Sequence, residues 1–107
     1  MFKRQNLAER IAGPIQRAFI IQSGPVAENS GQVLRIEISN GTAAAITVTL
    51  VDGIDANGNI MDKIVVPVND VRELQPYALS FGNGLYVAFV ALVYVTIDFA
   101  LDQYLRK

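Results

Sequence analysis

Apolar and polar residues alternate along three segments of the chain, and this alternation is the clearest structural signal in the sequence. It is present at 34–38, 46–50 and 93–99. A period of two residues is typical of a strand that buries one face. Turn sequences rich in glycine and asparagine separate these segments at roughly 10–15-residue spacing. The pattern therefore predicts an all-β domain, an antiparallel β-sandwich or jelly roll of six to eight strands.

The run from Leu85 to Leu92 is apolar at every position, so it predicts a strand with two apolar faces. Apolar residues and one threonine continue from Leu85 to Ile97, where Asp98 ends the stretch. This is shorter than the about 20 apolar residues that a membrane-spanning helix needs. β-branched and aromatic side chains also favour a strand over a helix. Such a strand is covered either by a second subunit or by the core of its own domain. The sequence therefore predicts a homo-oligomer, with Tyr86 and Phe89 as partner-binding residues.

Residues 1–14 are predicted to form an N-terminal arm, followed by a β-sandwich over 15–101 and a polar tail over 102–107. Apolar residues at helical spacing indicate a short helix over 5–12, ended by Gly13-Pro14. A helix this short is stable only against a partner surface. We expect the arm to dock on such a surface. The arm residues expected to contact the partner are Lys3, Arg4, Leu7, Arg10 and Ile11.

Composition favours a single domain that assembles with other proteins. The 107 residues are 51% hydrophobic and 18% charged, with a net charge of −1. This length buries a substantial core. Basic residues are concentrated at the two ends and acidic residues between them. The basic segment lacks interleaved aromatic residues, so it favours docking on protein over nucleic acid.

The sequence does not favour catalysis. Histidine and cysteine are both absent, which removes the commonest general base, the thiol nucleophile and the usual zinc ligands. We therefore expect no enzyme activity and no cofactor. The turn from Asp52 to Asn59 does not match the calcium loop of an EF-hand, and a plain turn is the first interpretation, with ion binding left open. No signal peptide follows Lys3 and Arg4.

Four motifs lie between Asp52 and Phe99: DGIDANGNI, KIVVPV followed by Asn69, LSFGNGLYV and VTIDF. In these motifs the chain resembles small structural proteins of tailed bacteriophage virions, such as head decoration, head-fibre and spike-base proteins. It departs from their usual form between Val87 and Val93, where a glycine or serine turn is common. The resemblance implies a non-enzymatic, multi-copy virion protein with a β-sandwich body. It also implies synthesis in the host cytoplasm and binding to capsid, portal or neck proteins, without a membrane.

Two other classes of function stay open. One is a carbohydrate- or receptor-binding module, whose sugar-stacking aromatic residues would come from the second half of the chain. These aromatic residues are Tyr77, Phe81, Tyr86, Phe89 and Tyr94. The other is a stand-alone bacterial assembly protein or a small membrane-associated subunit. Glycan binding that is lost on aromatic substitution would support the first, and partition into detergent the second.

Overall fold

A computed structural model describes residues 9–90 and 93–105, and these form nine β-strands without a helix. The strands are β1 (Glu9–Ile20), β2 (Gly24–Ala27), β3 (Gly31–Asn40), β4 (Ile46–Asp52), β5 (Asn59–Val66), β6 (Asp70–Leu74), β7 (Leu79–Phe81), β8 (Leu85–Ala88) and β9 (Tyr94–Leu105). The predicted all-β class is confirmed. The number of strands exceeds the six to eight that were predicted.

The strands form two antiparallel sheets. Sheet A has the order β1-β9-β3-β6, and β7 pairs with the other end of β3; sheet B has the order β2-β8-β4-β5. The space between the sheets is filled by alternate residues of the central strands, as the period-two pattern requires. These core residues include Ile36, Ile38, Val48, Leu50, Val87, Val95 and Ile97. Burying each such side chain stabilises the fold by about 1.5–3 kcal/mol.

Asn40 is a polar side chain inside this apolar core, 1% exposed at the end of β3. Its amide nitrogen donates to the carbonyl oxygens of Ala44, Val66 and Pro67 at 2.9, 3.2 and 3.0 Å. Its amide oxygen accepts from the backbone nitrogen and the hydroxyl of Thr42 at 2.9 and 2.6 Å. One side chain thus ties the β3–β4 connection to the end of β5.

The Gly82-Asn83-Gly84 turn is held by Asp52. Its carboxylate accepts from the backbone nitrogen of Asn83 at 2.7 Å and from that of Gly82 at 3.1 Å. The backbone nitrogen of Gly53 donates to the carbonyl of Gly84 at 3.2 Å. Gly84 has a φ of 146°, a backbone conformation that glycine adopts without the strain a side chain would cause.

The helix predicted over 5–12 is wrong for residues 9–12, which are strand; residues 1–8 lie outside the described part of the chain. Strand β1 begins at Glu9, opposite Leu105 of β9. Pairing with β9 outweighs the weak helical preference of so short a segment. Gly13-Pro14 lies within β1, where the register with β9 shifts. Residues 9–14 of the predicted arm therefore belong to strand β1.

The C-terminal end differs from the prediction in the same way. Residues 102–105 of the predicted polar tail continue β9 and pair with residues 9–12. On its other side β9 is paired with β3 only as far as Leu101, opposite Gly31. The two segments therefore form a two-stranded ribbon beyond the end of β3.

The run from Leu85 to Leu92 is not one strand with two apolar faces. Strand β8 ends at Ala88, its alternate residues are buried, and residues 91–92 lie outside the described part of the chain. Val90 is almost fully exposed in the connection. Core packing therefore accounts for Leu85, Val87 and Phe89, and the outer side of β8 is covered only in part.

Candidate functional site

The outer face of sheet A carries four ion pairs and a pair of aromatic rings. Its side chains come from β1, β9, β3 and β6, because the alternate residues of these strands point into the core. We call this surface the sheet A face. It is defined by Arg17, Phe19, Arg35, Glu37, Ser39, Glu73, Tyr94, Thr96 and Asp98.

An ion network crosses the sheet A face from β1 to β6. Arg17 donates two hydrogen bonds to the carboxylate of Asp98, at 2.7 and 3.0 Å. Arg35 donates to Glu73 at 2.7 Å and to Glu37 at 2.5 Å. A guanidinium nitrogen of Arg35 also lies 3.7 Å from Asp98. The network therefore links four neighbouring strands by their side chains as well as by their backbones.

The ion pairs favour the charged forms of Arg17, Arg35 and Asp98. The pKa of the Asp98 carboxyl is lowered chiefly by the hydrogen bonds from Arg17, with the charges of Arg17 and Arg35 adding to the effect and desolvation opposing it. Hydrogen bonds to carboxylates raise the pKa of both arginines. All three groups are therefore charged near pH 7, which suits a structural or binding role rather than proton transfer.

Two aromatic rings lie side by side at one end of the sheet A face. The ring centroids of Phe19 and Tyr94 are 5.9 Å apart and their planes differ by 15°. The two side chains are 66% and 58% exposed. Together with Glu37, Ser39 and Thr96 they line a shallow depression of about 280 Å³. This surface offers a flat apolar platform beside hydroxyl and carboxylate groups.

A row of exposed apolar side chains follows the same edge of the sandwich. Ile15, Phe19 and Ile21 are 69%, 66% and 54% exposed. Strand β1 is the last strand of sheet A, so its outer edge has no backbone partner among the described residues. An exposed edge with apolar side chains is a surface on which another chain can add.

The predicted docking residues of the arm are only partly placed. Lys3, Arg4 and Leu7 lie outside the described residues. Arg10 and Ile11 lie in β1, paired with residues 104 and 103 of β9. These two residues therefore belong to the two-stranded ribbon, and their role in partner binding stays a prediction.

Tyr86 and Phe89 are not brought together with the arm. Tyr86 is half-buried in β8, opposite Pro25 and Val51 in sheet B. Phe89 is 8% exposed and belongs to the core. Its backbone nitrogen and carbonyl both bond the hydroxyl of Ser23, at 2.9 and 2.8 Å. This burial removes Phe89 from the surface that a partner would contact.

The five aromatic residues expected to stack on sugar do not form one face. Phe81 is buried in the core. Tyr77 is half-buried, and its hydroxyl donates to Asp62; burial raises the pKa of this hydroxyl, and the hydrogen bond adds to the effect. Tyr94 alone meets the expectation, and it pairs with Phe19. No local pattern identifies Phe19, because residues 15–21 do not alternate regularly between apolar and polar side chains.

The turn from Asp52 to Asn59 has a structural explanation. Asp52 accepts the hydrogen bonds of the Gly82-Asn83 backbone, and Asp55 accepts from the backbone nitrogen of Asn57 at 2.9 Å. In the described part of the chain, no three His, Cys, Asp or Glu side chains are grouped to hold a metal ion. These acidic residues therefore act here as turn-forming groups.

Comparison with known proteins adds no family. No family model matches the chain, and no curated protein matches it. Among the described residues there is no helix long and apolar enough to cross a membrane. The class of protein therefore rests on the fold, an antiparallel β-sandwich with an exposed apolar edge.

Proposed function

We propose that this chain is a non-enzymatic structural protein of a tailed bacteriophage virion, present in many copies as a head decoration or accessory capsid or neck component. The observation that carries the proposal is the exposed apolar edge at Ile15, Phe19 and Ile21. These three side chains do not belong to the hydrophobic core, which other residues fill. Exposed apolar surface of this kind marks protein interfaces. The same proposal places the protein in the virion after synthesis in the host cytoplasm.

The motif segment from Asp52 to Phe99 supports this proposal through the roles of its residues. Asp52 holds the Gly82-Asn83 turn, and Phe81, Val87 and Ile97 fill the core. The features that resemble virion proteins thus build the sandwich rather than a reaction site. A shared structural scaffold is what the resemblance implies.

Docking on the capsid, portal or neck is assigned to the N-terminal segment and the ribbon that follows it. Residues 1–8 carry Lys3, Arg4 and Leu7, and the ribbon carries Arg10 and Ile11 beyond the end of β3. Basic side chains set association rate and salt sensitivity, and apolar side chains set residence time.

This docking is tested by adding purified protein to particles that lack it and separating the mixture on a density gradient. The parent chain is expected to sediment with the particles. A variant without residues 1–8 is expected to stay at the top of the gradient, with an unchanged circular dichroism spectrum. Equal binding of the truncated variant would remove the N-terminal segment as the anchor.

A second candidate function is binding of a neutral saccharide on the sheet A face. The observation that favours it is the Phe19–Tyr94 platform beside Glu37, Ser39 and Thr96. Aromatic rings stack on the apolar faces of sugars, while hydroxyl and carboxylate groups bond sugar hydroxyls. The carboxylates of the face outnumber its arginines, which disfavours polyanions.

A glycan array separates the two candidates. Specific binding that is lost in Tyr94→Ala and retained in Ile60→Ala, an exposed apolar residue of sheet B, would support the saccharide site. Signals that respond equally to both variants would assign the binding to nonspecific apolar contact.

A further inference from the structure

We propose that two copies of this chain pair through the outer edges of their β1 strands, antiparallel and about a two-fold axis that passes through Ala18. The biological setting of this contact rests on the proposed multi-copy structural function. The β1 edge takes the place of the Leu85–Leu92 run as the surface for self-association, because Leu85, Val87 and Phe89 of that run are buried in the core.

The usable edge is limited to the second half of β1. At the other end, Gly13-Pro14 coincides with the register shift against β9, and proline has no backbone donor. From Ile15 to Ile20 the strand is continuously paired with β9 on its inner side. Its outer side has no partner among the described residues. This regular segment can accept one further antiparallel strand.

The faces of the strand restrict the register of such a pair. Arg17 and Phe19 project outward, where they contact Asp98 and Tyr94, whereas Ala18 packs against the core. Opposite residues of an antiparallel pair project to the same face. The outer faces of the two copies therefore lie on the same side only if one residue of β1 lies opposite the same residue of the second copy.

Charge and contact select Ala18 as this residue. An axis at Arg17 would place two guanidinium groups opposite each other, which is destabilising. An axis at Gln16 would set Ala18 against Pro14 of the second copy. An axis at Phe19 would bring Arg17 against the apolar Ile21.

With the axis at Ala18, Arg17 lies opposite Phe19 of the second copy, and Ile15 lies next to Ile21, the residue that directly follows β1 in the second copy. A guanidinium over an aromatic ring is a favourable cation–π pair. The side chain of Arg17 is 65% exposed although it binds Asp98, so one of its faces is open to a ring. All three exposed apolar residues of the edge are covered in this register, and small alanine side chains meet at the axis.

Cysteine cross-linking tests both the contact and its register, because the chain has no cysteine of its own. Opposite residues of the pair lie about 4.5–5.5 Å apart at Cα, within the range of a disulfide. Ala18→Cys is expected to give a reducible dimer under mild oxidation. Val65→Cys, at an exposed site of the other sheet's edge strand β5, is the matched control and is expected to stay monomeric.

Sedimentation of the unmodified protein provides the second measurement. The parent is expected to be a dimer at tens of micromolar, and Phe19→Glu is expected to weaken the dimer by at least about tenfold. Ile60→Glu changes an apolar residue of sheet B that is 57% exposed, against 66% for Phe19, and is expected to leave the dimer intact. Circular dichroism shows that each variant is folded.

The inference is overturned by a monomeric parent, by equal dimerisation of folded Phe19→Glu, or by cross-linking of Arg17→Cys in preference to Ala18→Cys. A β1 dimer that is absent from virions would contradict the proposed function and leave this contact standing. A chain found in virions but monomeric when purified would contradict this contact alone.

Discussion

Replacing Asn40 with alanine is expected to destabilise the sandwich more than any exposed polar substitution. The side chain is 1% exposed and engages five polar atoms from Thr42, Ala44, Val66 and Pro67. The amide nitrogen has two protons for three carbonyl acceptors, and the amide oxygen accepts two bonds. The side chain therefore makes at most four hydrogen bonds at one time. Alanine removes all of these bonds, and the buried carbonyl of Val66 loses the donor that the amide supplied.

The size of the effect follows from how much water can reach each group. At about 0.5–1.5 kcal/mol per bond, four bonds give about 2–6 kcal/mol. The groups of Thr42 and Ala44 lie near the surface, where water replaces part of the loss. The bond to the carbonyl of Val66 is buried, and its loss carries the full desolvation penalty. We therefore expect Asn40→Ala to lower the free energy of unfolding by about 2–4 kcal/mol.

Urea unfolding followed by circular dichroism measures this change. Asn29→Ala, an exposed residue between β2 and β3, is the matched control and is expected to change stability by less than about 0.5 kcal/mol. A shift of Asn40→Ala no larger than that of the control would refute the role assigned to the buried amide. Asn40→Asp is expected to be least destabilised at low pH, since a protonated carboxyl can still donate one bond to these carbonyls.

Three further predictions concern the turn, the ion network and the N-terminal segment. Gly84→Ala is expected to lower the free energy of unfolding by about 1–3 kcal/mol, because a Cβ there would lie 2.8 Å from the carbonyl oxygens of Ala27 and Gly53. Gly41→Ala is the control in the same thermal melts, because a Cβ at Gly41 meets open space. Because the pKa of Asp98 is lowered in the folded state, its pairing with Arg17 stabilises the fold above about pH 4 and is lost as pH falls through the folded pKa. The difference in urea midpoint between the parent and Asp98→Asn should therefore shrink from pH 6 to about pH 2.5, and a difference independent of pH would contradict this. Deleting residues 1–8 is expected to leave the melting temperature within a few degrees of the parent, whereas deleting residues 1–12 removes the ribbon pairing of β1 and should lower it further.

The central strands could be predicted from the sequence because each buries one face. In β3, β4 and β9, burial on one side forces apolar residues into every second position. Strand β6 carries no such signal, since four of its five residues are exposed and backbone pairing with β3 defines it. Strand β2 begins with Gly24-Pro25, which has the composition of a turn.

The candidate site could be predicted only in part, because its residues come from distant parts of the chain. The sequence offers Tyr94 as one of five aromatic residues for sugar stacking, but Phe19 joins it only through the register of β1 against β9. Asn40-Gly41 reads as a turn, and the buried role of Asn40 depends on the end of β5 lying beside it. Local patterns carry no information on such pairings.

Quantitative mass spectrometry of particles banded on a density gradient tests the central claim most directly. This chain is expected in banded particles in many copies, in a fixed ratio to the major capsid protein. The ratio is expected to be retained after washing at moderate salt, because apolar contacts hold the protein in place. Particles that contain the capsid protein but not this chain would contradict the claim.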